Sequence, residues 1–448
     1  MVRAVDGPRL RSNVRVARRR LGIYNDGSVS LVQTADGPRI APNAADFPFL
    51  TFACEVGSKF DSTLLFGRTR ATSDSDARPL LPHGAGLVQL PHYESLLRLD
   101  QVLRATPGTA VAFWRGLSRV DAVWIFGPHP FAVLLAALAL LRRKRVILGV
   151  RQDTVAYFRA RLPNPRWKPA LLAVHMWNAV FRGLARFLKT TVVGAELSRA
   201  YGGERSSLLT MTVSLVRDED VVEDPRVRDW AGAIELFTVG RIEPEKNPIL
   251  LVEVLARLEQ EHPDRFRLAW AGTGPLENAV RHRARELGVS ERIELLGFVP
   301  FGPTLLERYR RAHAFVHVSL TEGVPAVLIE AFASGTPVVA TAVGGVPAAL
   351  DHGRAGVLVP PGDIDALVAA LIRVVDDPDD RERRLIRGLE LARESTLDVQ
   401  AARVAHFIEA PVRRPSRLRR HPGLAGELIS SGEANADSPV APRGRDGR

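Results

Sequence analysis

The chain has 448 residues, of which 46% are hydrophobic and 25% are charged, and this length predicts two soluble domains that each bury a core. Cys54 is the single cysteine, which excludes an internal disulfide and fits a reducing, cytoplasmic setting. Of the net charge of +11, residues 1–20 carry +6 (seven Arg against one Asp) and residues 411–448 carry +4 (eight Arg against four acids), so a high charge alone does not indicate a nucleic-acid-binding domain.

Both ends of the chain are predicted to be disordered. Residues 1–20 are basic and lack apolar periodicity, and no apolar core of a signal peptide follows them. Residues 411–448 are rich in Arg, Pro, Gly and Ser and hold few large apolar side chains. The longest apolar run between the ends, residues 131–141, is about half as long as a bilayer-spanning helix. We therefore predict no transmembrane helix.

Short apolar runs alternate with amphipathic segments along the first half of the chain. The runs that read as strands are 21–24, 63–66, 122–126, 146–150 and 190–193. Near-continuous apolar strands that alternate with helices predict a parallel sheet covered on both faces. We assign residues 21–217 to this first domain and the polar, irregular residues 218–232 to a linker.

The second half repeats the pattern. Its strands are predicted at 235–239, 267–270, 293–296, 314–318, 337–340 and 356–359. A helix is predicted at 247–260, where Asn247 suits the N-cap and Pro248 the first position. We assign residues 233–390 to a second domain and 391–410 to a C-terminal helix. Ligands bind at the carboxyl ends of parallel strands, so the cleft between two such sheets is the expected site.

The first motif is G-R-I-E-P-E-K-N at residues 240–247, between a predicted strand and a predicted helix. It places Arg241 and Lys246 at the carboxyl end of the strand. Two cations near a helix N-terminus suit a diphosphate leaving group. The alternative is a pair of solvated charges in a surface loop.

Two further motifs are glycine turns after strands. In A-G-T-G-P-L at residues 271–276, Gly272 and Gly274 allow the backbone to approach a ligand closely. A second glycine loop, T-A-V-G-G-V-P, follows at residues 341–347. In both places the alternative is a plain tight turn.

The most informative motif is E-G-V-P-A-V-L-I-E at residues 322–330. Glu322 lies in the loop after a strand, Pro325 suits the first turn of a helix, and Gly335 suits its C-terminal cap. Glu330 then lies just over one turn along that helix. The unpaired N–H groups at the helix start can hold a phosphate. The alternative is a capping acid together with a solvated helical glutamate.

In this order the motifs resemble the family 4 retaining glycosyltransferases (glycosyl transferases group 1). The shared pattern is G-R-x4-K, A-G-x-G-P, E-x7-E and A-x-G-T-P-V-V-A-T-x2-G-G, and it falls within residues 233–370. The resemblance implies the GT-B fold, an α/β architecture in which two Rossmann-like parallel-sheet domains face a central cleft. Two positions depart from the usual pattern, Val324-Pro325 and Ala348, and both bear on sugar preference.

The resemblance also implies roles for individual residues. Arg241 and Lys246 bind the donor diphosphate, and Glu322 lies beside the transferred sugar and its leaving group. Glu330 binds the donor ribose. The other expected nucleotide contacts lie in the glycine turn and at the helix start: Gly272, Gly274, Gly323, Val324, Ala326 and Val327. The donor is expected to be a UDP-, GDP- or ADP-sugar, with no other cofactor and no bound metal.

The first half carries weaker motifs. The family often has a double-glycine loop after the first strand, but here only Asp-Gly pairs occur, at residues 26–27 and 36–37. Strand 122–126 ends in Gly-Pro-His-Pro, which makes His129 a catalytic candidate on the acceptor side. A structural or solvated histidine is the alternative. Asp153, after the next strand, is a similar candidate.

Residues 142–189 are strongly basic, with twelve Lys or Arg against one acid and with six aromatic residues. Such a mixture can dock on an anionic membrane, here the inner face of the plasma membrane. The alternative is a core helix with a solvated basic face. No nucleic-acid-binding motif accompanies the charge, so we expect no nucleic-acid partner.

The sequence therefore predicts a cytoplasmic retaining glycosyltransferase that moves a sugar from a nucleoside-diphosphate sugar to a hydroxyl of an unknown acceptor, such as a glycolipid, a polysaccharide or a small molecule. Two alternatives stay open. A nucleotide-sugar epimerase on the same fold is disfavoured by E-x7-E, and a non-catalytic nucleotide-sugar-binding partner is allowed by the weak motifs of the first half. The side chains of Lys246, Glu322 and Glu330 are expected to face the cleft, so their replacement is expected to cost little stability.

Overall fold

The structure is a computed structural model and describes residues 19–34, 37–42, 47–71, 85–96, 98–161, 168–224 and 228–411. Most of both ends predicted to be disordered lies outside these residues, as does Asp36 of the second Asp-Gly pair, whereas Gly37 starts a strand. The expectation for residues 1–20 is wrong at its last two positions. Arg20 starts a strand and its Nη2 lies 2.8 Å from Asp121, while Arg19 pairs with Glu409 at 2.7 Å.

The first sheet has eight strands among the described residues. They are β1 Arg20–Thr34, β2 Gly37–Pro42, β3 Ser62–Ala71, β4 Ala85–Leu90, β5 Ala122–Gly127, β6 Arg145–Val150, β7 Lys189–Val193 and β8 Leu208–Met211. The order is β4-β3-β1-β5-β6-β7-β8, and all of these pairs are parallel. Only β2 is antiparallel, in a pairing with β1.

Helices cover both faces of this sheet, as expected for near-continuous apolar strands. They are α1 Phe47–Ser58, α2 Leu99–Gly116, α3 Pro130–Leu141, α4 Thr154–Arg161, α5 Lys168–Ala185 and α6 Ala195–Ala200. One apolar cluster joins α2, α3 and α5 to the sheet, and another joins α1 to the opposite face.

The second sheet is entirely parallel, in the order β11-β10-β9-β12-β13-β14. Its strands are β9 Ile234–Val239, β10 Phe266–Ala271, β11 Ile293–Leu295, β12 Ala314–His317, β13 Val338–Thr341 and β14 Val357–Val359. Its helices are α7 Pro248–Glu261, α8 Glu277–Glu286, α9 Pro303–Arg311, α10 Ala326–Ala333, α11 Val346–Ala349, α12 Ile364–Asp376 and α13 Pro378–Glu394.

The last described helix, α14 Leu397–Glu409, packs back on the first sheet. Its apolar side chains belong to the cluster formed with α1 and β1. Lys189, at the start of β7, is buried and donates to the carbonyl groups of Phe407 and Ala410 at the end of α14. The return of the chain to the first sheet is thus anchored by buried apolar and polar contacts. No helix among the described residues is long and apolar enough to cross a membrane.

Two local features differ from the sequence expectation. Strand β1 does not end at Tyr24, because the polar run at residues 25–28 forms a bulge at which the register with β3 shifts, and the strand then continues. Asn247 stands before α7 as expected, but with φ of +48° and without a capping bond from its side chain. Its role is to end the 3-10 turn Pro244–Lys246 in a left-handed conformation that Asn tolerates.

Candidate active site

In a parallel sheet, ligands bind where the strand order reverses. In the second sheet this point lies between β9 and β12, because β10 and β13 extend the sheet in opposite directions. The loop after β9 carries Arg241 and Lys246, and the loop after β12 carries Glu322. The Leu320 N–H donates to the Glu245 carbonyl at 2.8 Å, which ties the two loops together.

Glu322 is the centre of a compact polar cluster. Lys246 Nζ donates to Glu322 Oε1, and Ser319 Oγ donates to the same oxygen at 2.6 Å. Nε2 of His317 lies 2.9 Å from Oε1, but out of line for a hydrogen bond. His317 and Ser319 are both buried. None of these contacts uses Oε2, which is therefore the oxygen that can accept a hydroxyl from a ligand.

The surroundings keep the Glu322 carboxylate ionised. Burial alone would raise its pKa, but the contacts from His317 and Lys246 outweigh burial and lower the pKa from 4.5 to about 2. At neutral pH the group is therefore an anion that accepts hydrogen bonds and cannot act as a proton donor. It also holds the Lys246 ammonium, whose side chain is only 21% exposed, in a fixed place.

Arg241 is placed differently from Lys246. Its side chain is 58% exposed and pairs with Glu243 at 2.6 Å and Glu245 at 3.1 Å. Surface pairs of this kind contribute about 0–1 kcal/mol. The guanidinium can therefore leave these partners for a stronger anion at small cost.

Glu330 is more deeply buried than a glutamate that simply faces an open cleft. Its side chain lies on α10 and is buried, and its Oε2 accepts a hydrogen bond from the Tyr309 hydroxyl at 2.9 Å. Burial raises the pKa of Glu330 to about 7, although the Tyr309 hydrogen bond opposes this shift. The sequence analysis expected that replacing Glu330 would cost little stability, but a change to a buried carboxylate does affect the stability of the fold.

The start of α10 points its first N–H groups towards the same loop. Pro325 is the N-cap rather than part of the first turn, and Gly335 follows the helix end with φ of +63°, as expected for a C-terminal cap. Gly323, Val324, Ala326 and Val327, the expected phosphate contacts, lie on either side of Pro325 and are partly or fully exposed. The first N–H groups of a helix lack intrahelical partners and can receive an anion.

The glycine turns let neighbouring loops pack backbone to backbone. A Cβ on Gly272 would lie 1.9 Å from the Gly240 carbonyl oxygen, and one on Gly274 would lie 2.4 Å from that of Ile242. A Cβ on Gly344, where φ is +50°, would lie 1.9 Å from the Glu322 carbonyl oxygen. Any side chain at these positions would displace the loops that carry Lys246 and Glu322. Ligand contact by Gly272 and Gly274 stays a prediction.

The two sheets meet at the loop after β12. The Val324 side chain occupies the space next to Gly194, which follows β7 of the first sheet, and a Cβ on Gly194 would lie 2.3 Å from Val324 Cγ2. The carboxyl ends of the parallel strands of both sheets therefore border one cleft.

In the first sheet the strand order reverses between β1 and β5. Here Asp26 Oδ1 accepts hydrogen bonds from the Tyr24 hydroxyl at 2.9 Å and from the Tyr93 hydroxyl. Arg68 lies 3.9 Å above the Tyr93 ring and its Nε donates to the Asp26 carbonyl at 2.9 Å. A fixed carboxylate thus stands where the family often has a glycine loop.

His129 lies beside this cluster, with its ring 5.8 Å from the ring of Tyr24. Its Nδ1 accepts the Ala132 N–H at 3.4 Å and caps α3, so the structural alternative is present. Burial lowers the pKa of His129, so the ring is neutral at pH 7 and carries its proton on Nε2, which is buried without a partner. Asp153 Oδ1 accepts the Val155 N–H at 2.9 Å at the start of α4. Catalytic roles for both residues stay predictions.

Sequence reasoning missed the residues that hold the predicted ones in place. His317 and Ser319 are alternate polar residues at the carboxyl end of an apolar strand, directly before Glu322, and this pattern could have marked them. Tyr309, Arg68 and Tyr93 reach the site only through tertiary contacts, so no local pattern marks them. Among the described residues, no group of three His, Cys, Asp or Glu side chains is arranged to hold a metal ion.

The family of the second half follows from comparison with known proteins. Residues 224–388 match the family described as Glycosyl transferases group 1. These residues form a glycosyl transferases group 1 domain. A D-inositol 3-phosphate glycosyltransferase of Kribbella flavida is 40% identical over 159 residues, which is 34% of this chain and 37% of the relative. A glycogen synthase of Mycobacterium tuberculosis is 36% identical over 157 residues, 35% of this chain and 37% of the relative. The matches thus span under half of these curated relatives.

Similar solved structures extend over both sheets. HepE of Anabaena in complex with UDP has a TM-score of 0.61 at 16% identity and covers 87% of this chain and 99% of its own. Sucrose-phosphate synthase from Thermosynechococcus elongatus has a TM-score of 0.61 at 16% identity and covers 87% and 98%. At this identity the likeness shows the fold alone. It confirms the predicted GT-B fold, and the family match confirms the predicted resemblance.

Proposed function

We propose that the protein is a retaining glycosyltransferase that moves a sugar from a UDP-, GDP- or ADP-sugar to a hydroxyl of an acceptor. The observation that carries the proposal is the Lys246–Glu322 pair, held between buried His317 and Ser319 where the strand order of the group 1 domain reverses. A fixed cation beside a fixed anion suits a substrate that joins a diphosphate to a sugar hydroxyl group.

The diphosphate is bound by groups that come from two loops. Lys246 Nζ is fixed by Glu322, Arg241 turns from its surface partners, and the N–H groups at the start of α10 complete the site. These donors stabilise negative charge as it grows on the leaving diphosphate, which is an electrostatic contribution to catalysis. The UDP bound to the similar HepE structure supports a donor of this chemical class.

The two glutamates bind different parts of the donor. Glu322 offers Oε2 to a hydroxyl of the transferred sugar, because its Oε1 is already occupied. Glu330 offers Oε1 to the ribose, because Oε2 is bonded to Tyr309. In a retaining reaction the acceptor hydroxyl attacks from the face that the diphosphate leaves, and His129, at the start of α3 after β5, is the candidate residue on that side.

The experiment is incubation of the purified chain with labelled UDP-, GDP- and ADP-sugars, with and without membrane lipid. Slow hydrolysis of one donor, or transfer to lipid, supports a glycosyltransferase. Interconversion of the sugars would indicate an epimerase instead, and binding without turnover would indicate a non-catalytic partner. The anomeric configuration of the product tests retention. Peripheral association with an anionic membrane is part of the same proposal.

A further inference from the structure

One helix layer of the first sheet exposes much more apolar surface than the rest of the described chain. Helices α2, α3 and α5 pack on this side of the sheet around one apolar cluster. Of the thirteen large apolar side chains that are exposed among the described residues, nine lie on these helices or in the turn after α5. They are Leu99, Leu103, Val111, Leu140, Leu141, Leu172, Met176, Val180 and Phe187. Exposed apolar side chains concentrated on one face mark a binding surface.

Helix α5 carries the most regular part of this surface. Leu172, Met176 and Val180 follow one another at intervals of four residues and are 76%, 51% and 40% exposed. Phe181, on the opposite side of the helix, is completely buried. Phe187, in the turn after the helix, is 83% exposed. The helix therefore has its own buried face, and the exposed stripe is a second apolar face.

Two exposed arginines lie near the stripe. Arg182 is on α5, about 80° around the helix from Leu172 and about 100° from buried Phe181, and its guanidinium carbon lies 5.4 Å from the centre of the Tyr201 ring. Arg186 is in the turn after the helix, next to Phe187 in the chain. Residues 154–189 contain seven Lys or Arg and no acid. Lys189 is excluded from this surface, because it is buried and bonded to the end of α14.

We propose that this face docks on an anionic lipid bilayer. The docking face consists of Leu172, Met176, Val180 and Phe187, which enter the interface, and of Arg182 and Arg186, which meet lipid phosphates. An apolar stripe alone would also suit a second copy of the chain, but the two arginines near it belong to a segment, residues 154–189, that holds no acid, and they are complementary to an anionic surface. The inference gives a surface to the membrane association in the proposed function, and it does not depend on sugar transfer.

The test is flotation of the full chain with vesicles of phosphatidylcholine alone and of phosphatidylcholine mixed equally with phosphatidylglycerol. The chain should bind the anionic vesicles, and Arg182→Gln with Arg186→Gln should weaken binding about tenfold or more, because each arginine near such a surface is worth about 1 kcal/mol. Leu172→Ser with Met176→Ser should reduce the binding that persists at high salt, where the charges are screened.

Matched controls lie in the second half of the chain. Arg285 and Arg311 are exposed there, so Arg285→Gln with Arg311→Gln makes the same change in net charge. If this pair weakens vesicle binding as much as the α5 pair, binding belongs to the whole charge and the docking face is refuted.

A second outcome would also overturn the proposal. If Leu172→Ser with Met176→Ser leaves vesicle binding intact but changes the oligomeric state in size-exclusion chromatography, the face joins two copies of the chain. Hydrolysis of the labelled donor without vesicles should be the same in the wild type and in every variant. A wild type that binds vesicles but hydrolyses no donor would refute sugar transfer and leave the docking face standing.

Discussion

Replacement of Glu330 by Gln separates two effects of this buried carboxylate: the pH dependence that its ionisation gives to stability, and its proposed contact with the donor ribose. In the folded chain burial raises the pKa of Glu330 from 4.5 to about 7. The folded state thus keeps the proton up to about pH 7, whereas the unfolded chain releases it near pH 4.5, so stability falls as the pH rises between these values. Each pH unit corresponds to about 1.4 kcal/mol, and the loss is about 3 kcal/mol above pH 7.

Glutamine cannot ionise, and its carbonyl oxygen can still accept the Tyr309 hydroxyl. Any cost of burying its amide is therefore independent of pH. Compared with the wild type, Glu330→Gln should gain stability between about pH 5 and about pH 8, by roughly 5–10 °C in melting temperature at about 2–4 °C per kcal/mol. Whether ionisation of Glu330 lowers stability is decided by how the difference in melting temperature between the variant and the wild type changes with pH, and not by the melting temperature at one pH.

The assay is thermal unfolding without nucleotide at both pH values, followed on the transition of the second half because a chain of two domains need not unfold in one step. Glu382→Gln, on the exposed side of α13, is the control and should follow the wild type at both pH values. A constant offset between Glu330→Gln and the wild type would refute the reasoning. The carboxylate would then be solvated, and burial would not set its pKa.

The same variant has a kinetic consequence. A carboxylate that holds ribose hydroxyls binds the ground state and the transition state about equally. Glu330→Gln should therefore raise the KM for the donor more than it lowers kcat, in steady-state assays with the donor found by hydrolysis. A loss confined to kcat would contradict a ribose contact.

Lys246→Ala should lower kcat by roughly 10²–10³-fold. It should also raise the pH at which acid unfolding begins, because the low pKa of Glu322 depends on that cation. Unchanged donor turnover with an unchanged melting curve would refute both roles. Glu322→Gln should mainly lower kcat, and a pure rise in KM would place it away from the reacting sugar. Arg241→Ala should weaken donor binding in titration calorimetry without changing the melting temperature, since its ion pairs are exposed. Lys189→Gln should lower the melting temperature and leave vesicle binding unchanged; weaker vesicle binding in a stable variant would return Lys189 to the docking face.

The second half could be predicted closely because its information is local. Each predicted strand is found within one or two residues of its place, and each motif lies in the loop that follows a strand. The loops that follow parallel strands lie at one edge of the sheet, so the position of each motif after a strand was enough to place Lys246 and Glu322 at the same edge. Burial of Glu330 could not be predicted, because it depends on Tyr309 of α9, an element with no motif of its own.

The first half was harder because its strands are interrupted by polar residues or are short. The first strand was predicted to end at residue 24, but residues 25–28 form a bulge and β1 continues, and β2, β4 and β8 were not predicted. The Asp26 cluster draws on β1, β3 and the segment after β4, which are far apart in the chain. Exposure of the stripe on α5 also depends on which face of the helix the sheet covers, and an amphipathic pattern with two apolar faces does not settle that.

The two predicted phosphate-binding cations differ in how firmly they are held: Lys246 is fixed by an ion pair with Glu322, and Arg241 is exposed and free to move. Lys246 is fixed by Glu322 before any ligand arrives, so its charge needs no reorganisation when the diphosphate develops charge. The fixed carboxylate of Glu322 also neutralises part of the positive charge of Lys246, which leaves less positive charge to stabilise a diphosphate. In the proposed reaction Arg241 would supply the missing charge from a half-exposed position in which its own ion pairs are weak. Lys246 would then contribute a fixed geometry and Arg241 additional charge, so of these two cations only Lys246 should disturb the folded protein when it is replaced.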